Sequence, residues 1–108
     1  MDLDQKEFKK IIEFLSQKNF YIDKDFIPKP IGEGQSNPTF LIKDERKNFK
    51  VLRTQPIGDL ARGAHRVDRE YSVLMASSKK GFECPKPFAL CNDPELIGRM
   101  FYVMDFEE

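Results

Sequence analysis

Three places along the chain carry residue types suited to holding a phosphate. The first is Gly32-Glu33-Gly34-Gln35-Ser36-Asn37. Glycine has no Cβ, so backbone N–H groups at Gly32 and Gly34 can approach an anion closely, with Gln35, Ser36 and Asn37 at the polar tip. The second is Arg53, at the end of Lys50-Val51-Leu52-Arg53. On a strand Val51 and Arg53 share one face and Lys50 and Leu52 the other. An apolar surface for a base at Val51 would then be followed by a guanidinium able to fork onto phosphate oxygens. The third is Glu70. Val67, Glu70, Tyr71 and Leu74 recur at helical spacing, which sets a carboxylate inside an apolar stripe. An unpaired carboxylate is costly there, and Arg53 is the natural partner. Each feature has an ordinary alternative: a hairpin turn, a solvated strand-end arginine, and a local pair of Glu70 with Arg66 or Arg69.

The elements that must position these residues are legible from pattern. Asp4 with Glu7 three residues on forms a capping box, and Phe8, Ile11, Ile12 and Leu15 form the apolar stripe of a packing helix ending near Lys18 and Asn19. Residues 26–33 read as a first strand, made irregular or an edge by Pro28 and Pro30. Residues 39–44 and 48–53 read as a hairpin, 64–77 as a helix, and 88–91 and 99–106 as two further strands. The glycine loop lies between two strands and precedes no helix, which excludes dinucleotide-binding and Walker-type loops on context. The expected fold is α+β: a twisted antiparallel sheet of about five strands with one packed helix and an N-terminal helix.

Totals bound the remaining classes. A chain of 108 residues with 40% apolar residues, ten Phe and three Tyr fills one core and one domain. Lysine plus arginine equals aspartate plus glutamate at 18 each, so no net charge draws the chain to nucleic acid. No apolar run approaches the roughly 20 residues of a membrane span. The acidic start lacks the apolar core of a signal peptide, so the expected compartment is the cytoplasm. Cys84 and Cys91, seven apart without a paired C-x-x-C spacing, read as buried reduced thiols. The single histidine, His65, reads as a capping or packing residue. Lys43, Arg46, Lys47 and Lys50, interleaved with Asp44 and Glu45, read as a solvated turn.

Glycine loop, basic strand end, then inward carboxylate on the next helix is the order of the small lobe of a kinase-like fold. In that arrangement residues 101–108 run along the back of an adenine pocket, with Met104 as gatekeeper. The backbone of Asp105, Phe106 and Glu107 is then the hinge that meets the base.

The stretches GQSNPTF, VLR, AHRVDREYSVL, CPKPFALCNDP and GRMFYVMDF resemble the aminoglycoside phosphotransferase family over roughly residues 30–106. They are most similar to the branch whose kinase-like domain is fused to acyl-CoA dehydrogenases. Arg53 stands where kinases usually have lysine, and that branch commonly has arginine. The resemblance implies ATP, with Mg²⁺, and transfer of a phosphoryl group to a small-molecule hydroxyl, with hydroxyacyl-CoA-type acceptors standing beside aminoglycosides. It assigns Gly32, Gly34, Gln35, Ser36, Asn37, Val51, Arg53, Glu70, Met104, Asp105, Phe106 and Glu107 to the nucleotide. The family's H-G-D catalytic loop and later metal-binding aspartate find no match, so no catalytic residue and no metal ligand is expected in this chain. The expectation is an N-terminal lobe, truncated and inactive alone, that self-associates through its exposed cleft face. One subunit of a split kinase, or a non-catalytic nucleotide-binding or protein-interaction module, are the competing readings.

Overall fold

The computed structural model describes residues 3–32, 38–55, 67–81, 83, 85–93 and 95–106. The elements in chain order are α1 (Gln5–Gln17), β1 (Lys29–Ile31), β2 (Thr39–Lys43), β3 (Phe49–Thr54), α2 (Val67–Lys79), β4 (Pro87–Cys91) and β5 (Phe101–Asp105). The five strands form one antiparallel sheet in the order β1-β2-β3-β5-β4.

The first helix forms as its sequence dictates. Glu7 N–H donates to Asp4 Oδ1 at 2.7 Å and Asp4 N–H donates to Glu7 Oε1 at 3.2 Å, closing the capping box. At the other end Asn19 takes a left-handed φ of 63°. Phe20 N–H then reaches the Leu15 carbonyl and Asn19 N–H the Ser16 carbonyl, a Schellman stop with asparagine in the glycine role. The buried stripe Ile11 and Leu15 packs on one face of the sheet, against Phe40, Ile42, Leu52, Phe101, Val103, Ala89 and Cys91.

Alternation sends the intervening residues to the opposite face. There the cross-strand rows are Thr39–Arg53–Tyr102 and Leu41–Val51–Met104. α2 lies over this second face, with Tyr71 edge-on to Tyr102 at 5.8 Å. The fold is therefore the expected α+β sheet with a helix on each side.

Two expectations need correction. The first strand is only three residues long rather than spanning 26–33, because Pro28 has no N–H to give to a ladder. Lys50 is not part of a solvated turn: its side chain is 14% exposed and pairs with Asp105 across the β3–β5 ladder, Nζ to Oδ1 at 2.7 Å. Lys43 likewise ends β2, with its ammonium over the Phe26 and Phe49 rings, and it is the stretch from Asp44 to Asn48 that behaves as a turn. Asp44 Oδ1 accepts from Arg46 N–H and Asn48 N–H at 2.9 Å each. This holds the chain where Lys47 adopts a φ of 69°. Lys47 reaches Asp23 at 2.6 Å.

Candidate nucleotide site

The second face of the sheet carries the site. β3 delivers Arg53 one residue before its end, and α2 delivers Glu70 from within its apolar stripe. The two meet as a fork: Arg53 Nε donates to Glu70 Oε1 at 2.6 Å and Nη2 to Oε2 at 3.1 Å. The third nitrogen, Nη1, donates to Thr39 Oγ1 at 3.0 Å, and Tyr102 O–H donates to Glu70 Oε1 at 3.0 Å. The guanidinium is thus held from β2 and α2, and its carboxylate partner from β5. The Glu70 carboxylate strengthens the hold of Arg53 on its proton, raising a pKa that is already high. Burial, then the adjacent Glu70 charge, pushes the Tyr102 phenol above its ordinary range, so it stays a protonated donor.

Ile31, Gly32, Thr39, Val51, Arg53, Pro85, Met104, Asp105 and Phe106 enclose a cleft of 220 Å³. Gly32 sits at its mouth with a φ of 78°, a conformation that favours glycine where the chain leaves β1. Val51 and Met104, cross-strand partners, form an apolar floor, and Arg53 places its charge at one end. A larger hollow of 550 Å³ lies beside it between α2 and β5, where Arg53, Arg69 and Glu70 join Val73, Leu74, Pro85, Tyr102 and Met104. Size does not decide between the two. Arg53 and Met104 border both; the smaller cleft adds Gly32 and Val51 to them and is the candidate site for that reason.

Of the residues expected in the site, Gly32, Val51, Arg53, Met104, Asp105 and Phe106 line the cleft, and Glu70 joins it through Arg53. Glu70 pairs across elements rather than only with a neighbour on its own helix. Gly34, Gln35, Ser36, Asn37 and Glu107 lie outside the described residues, as do His65 and Cys84. The Asp105 N–H donates to the Lys86 carbonyl at 2.9 Å, so that group is already engaged. Sequence reasoning missed Thr39 and Tyr102 as partners of the ion pair. The period of two that places Met104 in the cleft also places Tyr102 two residues earlier on the same face, and that signal could have found it.

It also missed Arg99, whose side chain is fully buried at the turn entering β5. Arg99 Nη2 meets Glu7 Oε1 at 3.2 Å, and Nη1 reaches the Gln55 carbonyl at 3.2 Å and Thr54 Oγ1 at 3.3 Å. The carboxylate that caps α1 thus also ties that helix to the sheet.

A kinase-like α+β fold with a cleft of this composition defines the class, and comparison with known proteins agrees. Residues 28–108 match the family model described as the phosphotransferase enzyme family. A protein of Arabidopsis thaliana described as an acyl-CoA dehydrogenase is 49% identical over 82 residues, which is 71% of this chain and 10% of that protein. Acyl-CoA dehydrogenase family member 11 of Gallus gallus is 48% identical over 73 residues, 68% of this chain and 9% of that protein. A crystal structure of a Ralstonia eutropha JMP134 protein described as an aminoglycoside phosphotransferase superposes with a TM-score of 0.66 at 30% identity, over 94% of this chain and 28% of that one. The chain belongs to the phosphotransferase enzyme family. It spans about a tenth of the length of the curated relatives it matches.

Among the described residues no helix is long and apolar enough to cross a membrane. Nor do the described residues bring three or more His, Cys, Asp or Glu side chains together as a metal site.

Proposed function

We propose that this chain is the nucleotide-binding lobe of an ATP-dependent phosphotransferase acting on a small-molecule hydroxyl. The Arg53–Glu70 fork beside the cleft carries the reading. The bond between the γ-phosphorus and the bridging oxygen of ATP breaks, and a bond from phosphorus to the acceptor oxygen forms. The acceptor loses its proton and ADP leaves. In that reaction Val51 and Met104 pack on the base, Gly32 begins the loop over the phosphates, and Arg53 neutralises phosphate charge. Glu70, Thr39 and Tyr102 fix the guanidinium so that its orientation is set before the nucleotide arrives. The role assigned to the described residues is binding and orientation. The base that takes the acceptor proton is assigned to residues outside this sequence, since no H-x-D occurs within it. The relatives described as acyl-CoA dehydrogenases support a hydroxyacyl-CoA-type acceptor, and the structural neighbour described as an aminoglycoside phosphotransferase keeps an aminoglycoside beside it.

Titration of the isotope-labelled chain with ATP and Mg²⁺, followed by amide chemical shifts, tests the reading. The expected result is a response centred on Gly32, Val51, Arg53, Met104 and Phe106, with a dissociation constant on the order of 1 mM, as fits a partial site. A flat titration to about ten times that concentration would refute nucleotide binding by this chain. A non-catalytic module would then be the surviving reading.

A further inference from the structure

The residues that precede Val51 on β3 hold the segment that borders the base from behind. Lys50 stands directly opposite Asp105 in the β3–β5 ladder, and its ammonium meets Asp105 Oδ1 at 2.7 Å. The same ammonium lies 4.5 Å from the centroid of the Phe88 ring, and Phe88 stacks on Phe20 at 5.4 Å. The cation is therefore fixed between a carboxylate and an aromatic face. One residue earlier, Phe49 packs edge-on to Phe106 at 5.9 Å and to Phe26 at 6.0 Å. Lys43 covers that cluster, with its ammonium 4.9 Å from the Phe49 ring and 5.1 Å from the Phe26 ring.

Alternation puts Lys50 on the face opposite Val51, and puts the Asp105 side chain opposite Met104. The Lys50–Asp105 pair therefore lies on the side of the sheet away from the cleft.

We propose that Lys50, on the sheet face away from the cleft, and Phe49, on the Val51 face but beyond the cleft lining, are positioning residues that clamp Asp105 and Phe106 and so set the backbone against which the base is read. This rests on the nucleotide reading above and adds to it a device for base recognition that touches no ligand. Its signature is selectivity within the ligand. Loosening the clamp should weaken whatever contacts the base and leave whatever contacts the phosphates unchanged.

The test uses the 108-residue chain, with Lys50→Met as the variant that keeps the aliphatic stem and removes the charge. Adenosine, ATP and inorganic tripolyphosphate are titrated separately, and exchange of the Asp105 amide, which is bonded to the Lys86 carbonyl, is followed in the absence of ligand. The expected result is about fivefold weaker binding of adenosine and of ATP, tripolyphosphate binding unchanged, and Asp105 exchange about tenfold faster with central amides such as Leu52 unaffected. Lys50→Arg should restore all of these, because a guanidinium can pair with Asp105 and lie on Phe88. Phe49→Ala should act in the same direction through Phe106. Equal weakening of all three ligands, or Asp105 exchange no faster than in the parent chain, would overturn the clamp. Failure of the parent chain to bind adenosine and ATP would overturn the nucleotide reading instead, while the exchange measurement still decides whether Lys50 holds the segment.

Discussion

Replacing Glu70 with Gln keeps the shape of the side chain and removes its charge. In the native fork both carboxylate oxygens accept from Arg53, at 2.6 and 3.1 Å, and Oε1 also accepts from Tyr102. An amide nitrogen in place of one oxygen opposes donor to donor, so one hydrogen bond is lost and the others lose their charge assistance. Breaking a fully buried pair costs roughly 3–5 kcal/mol, and an exposed pair contributes about 0–1 kcal/mol. The two side chains are 20% and 33% exposed, which places this pair between those limits. The expected loss is about 2 kcal/mol, or a fall in melting temperature of about 10 °C for a domain of this size. Thermal and urea unfolding should be followed by circular dichroism for Glu70→Gln, Arg53→Met and the double variant. The double variant should be less destabilised than the sum of the singles by about 1.5 kcal/mol. A melting temperature unchanged within about 1 °C, or a coupling under about 0.3 kcal/mol, would refute the argument that this ion pair is structurally engaged.

Tyr102 gives a pH dependence with a definite sign. Its phenol pKa is raised above 10.0 by burial first and by Glu70 second, so above pH 10 the unfolded chain releases a proton that the folded chain keeps. The associated stability is complete below that pH and declines above it, and Tyr102→Phe should flatten this alkaline slope in urea midpoints measured from about pH 8 to about pH 11. An identical slope in the variant would show that Tyr102 is not the group responsible. Glu7→Gln leaves an acceptor for the capping box but removes the charge facing the buried Arg99, so unfolding experiments should show a loss of about 3 kcal/mol. The exposed control Glu13→Gln should change stability by less than about 0.5 kcal/mol. Cys91 is 2% exposed and burial raises its thiol pKa, so in a Cys84→Ser background alkylation near neutral pH should be far slower in the native chain than in urea. Comparable rates in the two states would show that the thiol is accessible.

What the sequence displays and what it hides follow from the range of the interactions. The first helix is written locally, with Asp4, Glu7 and the Phe8–Leu15 stripe all within a few turns, and the structure reproduces it with its cap geometry. Arg53 and Glu70 are visible singly, because a charge at a face-determining position of a strand or helix stands out against its apolar neighbours. Their meeting required an arrangement of elements, which the kinase-like order supplied. Arg99 and Glu7 are 92 residues apart, and nothing local to either predicts the other. Lys50 is hidden in the same way, since its partner Asp105 is 55 residues away and its nearest sequence neighbours resemble an ordinary charged turn. The second helix runs past the expected end at Ser77: its described part spans Val67 to Lys79, and Gly81 with a φ of 86° follows it. Serines and a lysine at 77–79 extend it without adding to the apolar stripe from which the helix was read.

The strand order has a temporal consequence. β5, the last strand among the described residues, is not at an edge of the sheet; it is inserted between β3 and β4. Until Phe101–Asp105 has left the ribosome, β3 presents an unpaired edge, β4 has no neighbour, and the core lacks the fully buried Phe101 and Val103. The buried Arg99 that anchors α1 arrives in the same final stretch. Before β5 is delivered the sheet would therefore remain open along its centre, exposing strand edges to chaperones and to other chains. Closure of the sheet would wait for β5 and come as one event. Loss of the last few residues of β5 would remove the middle of the sheet, where trimming an edge strand would only fray it.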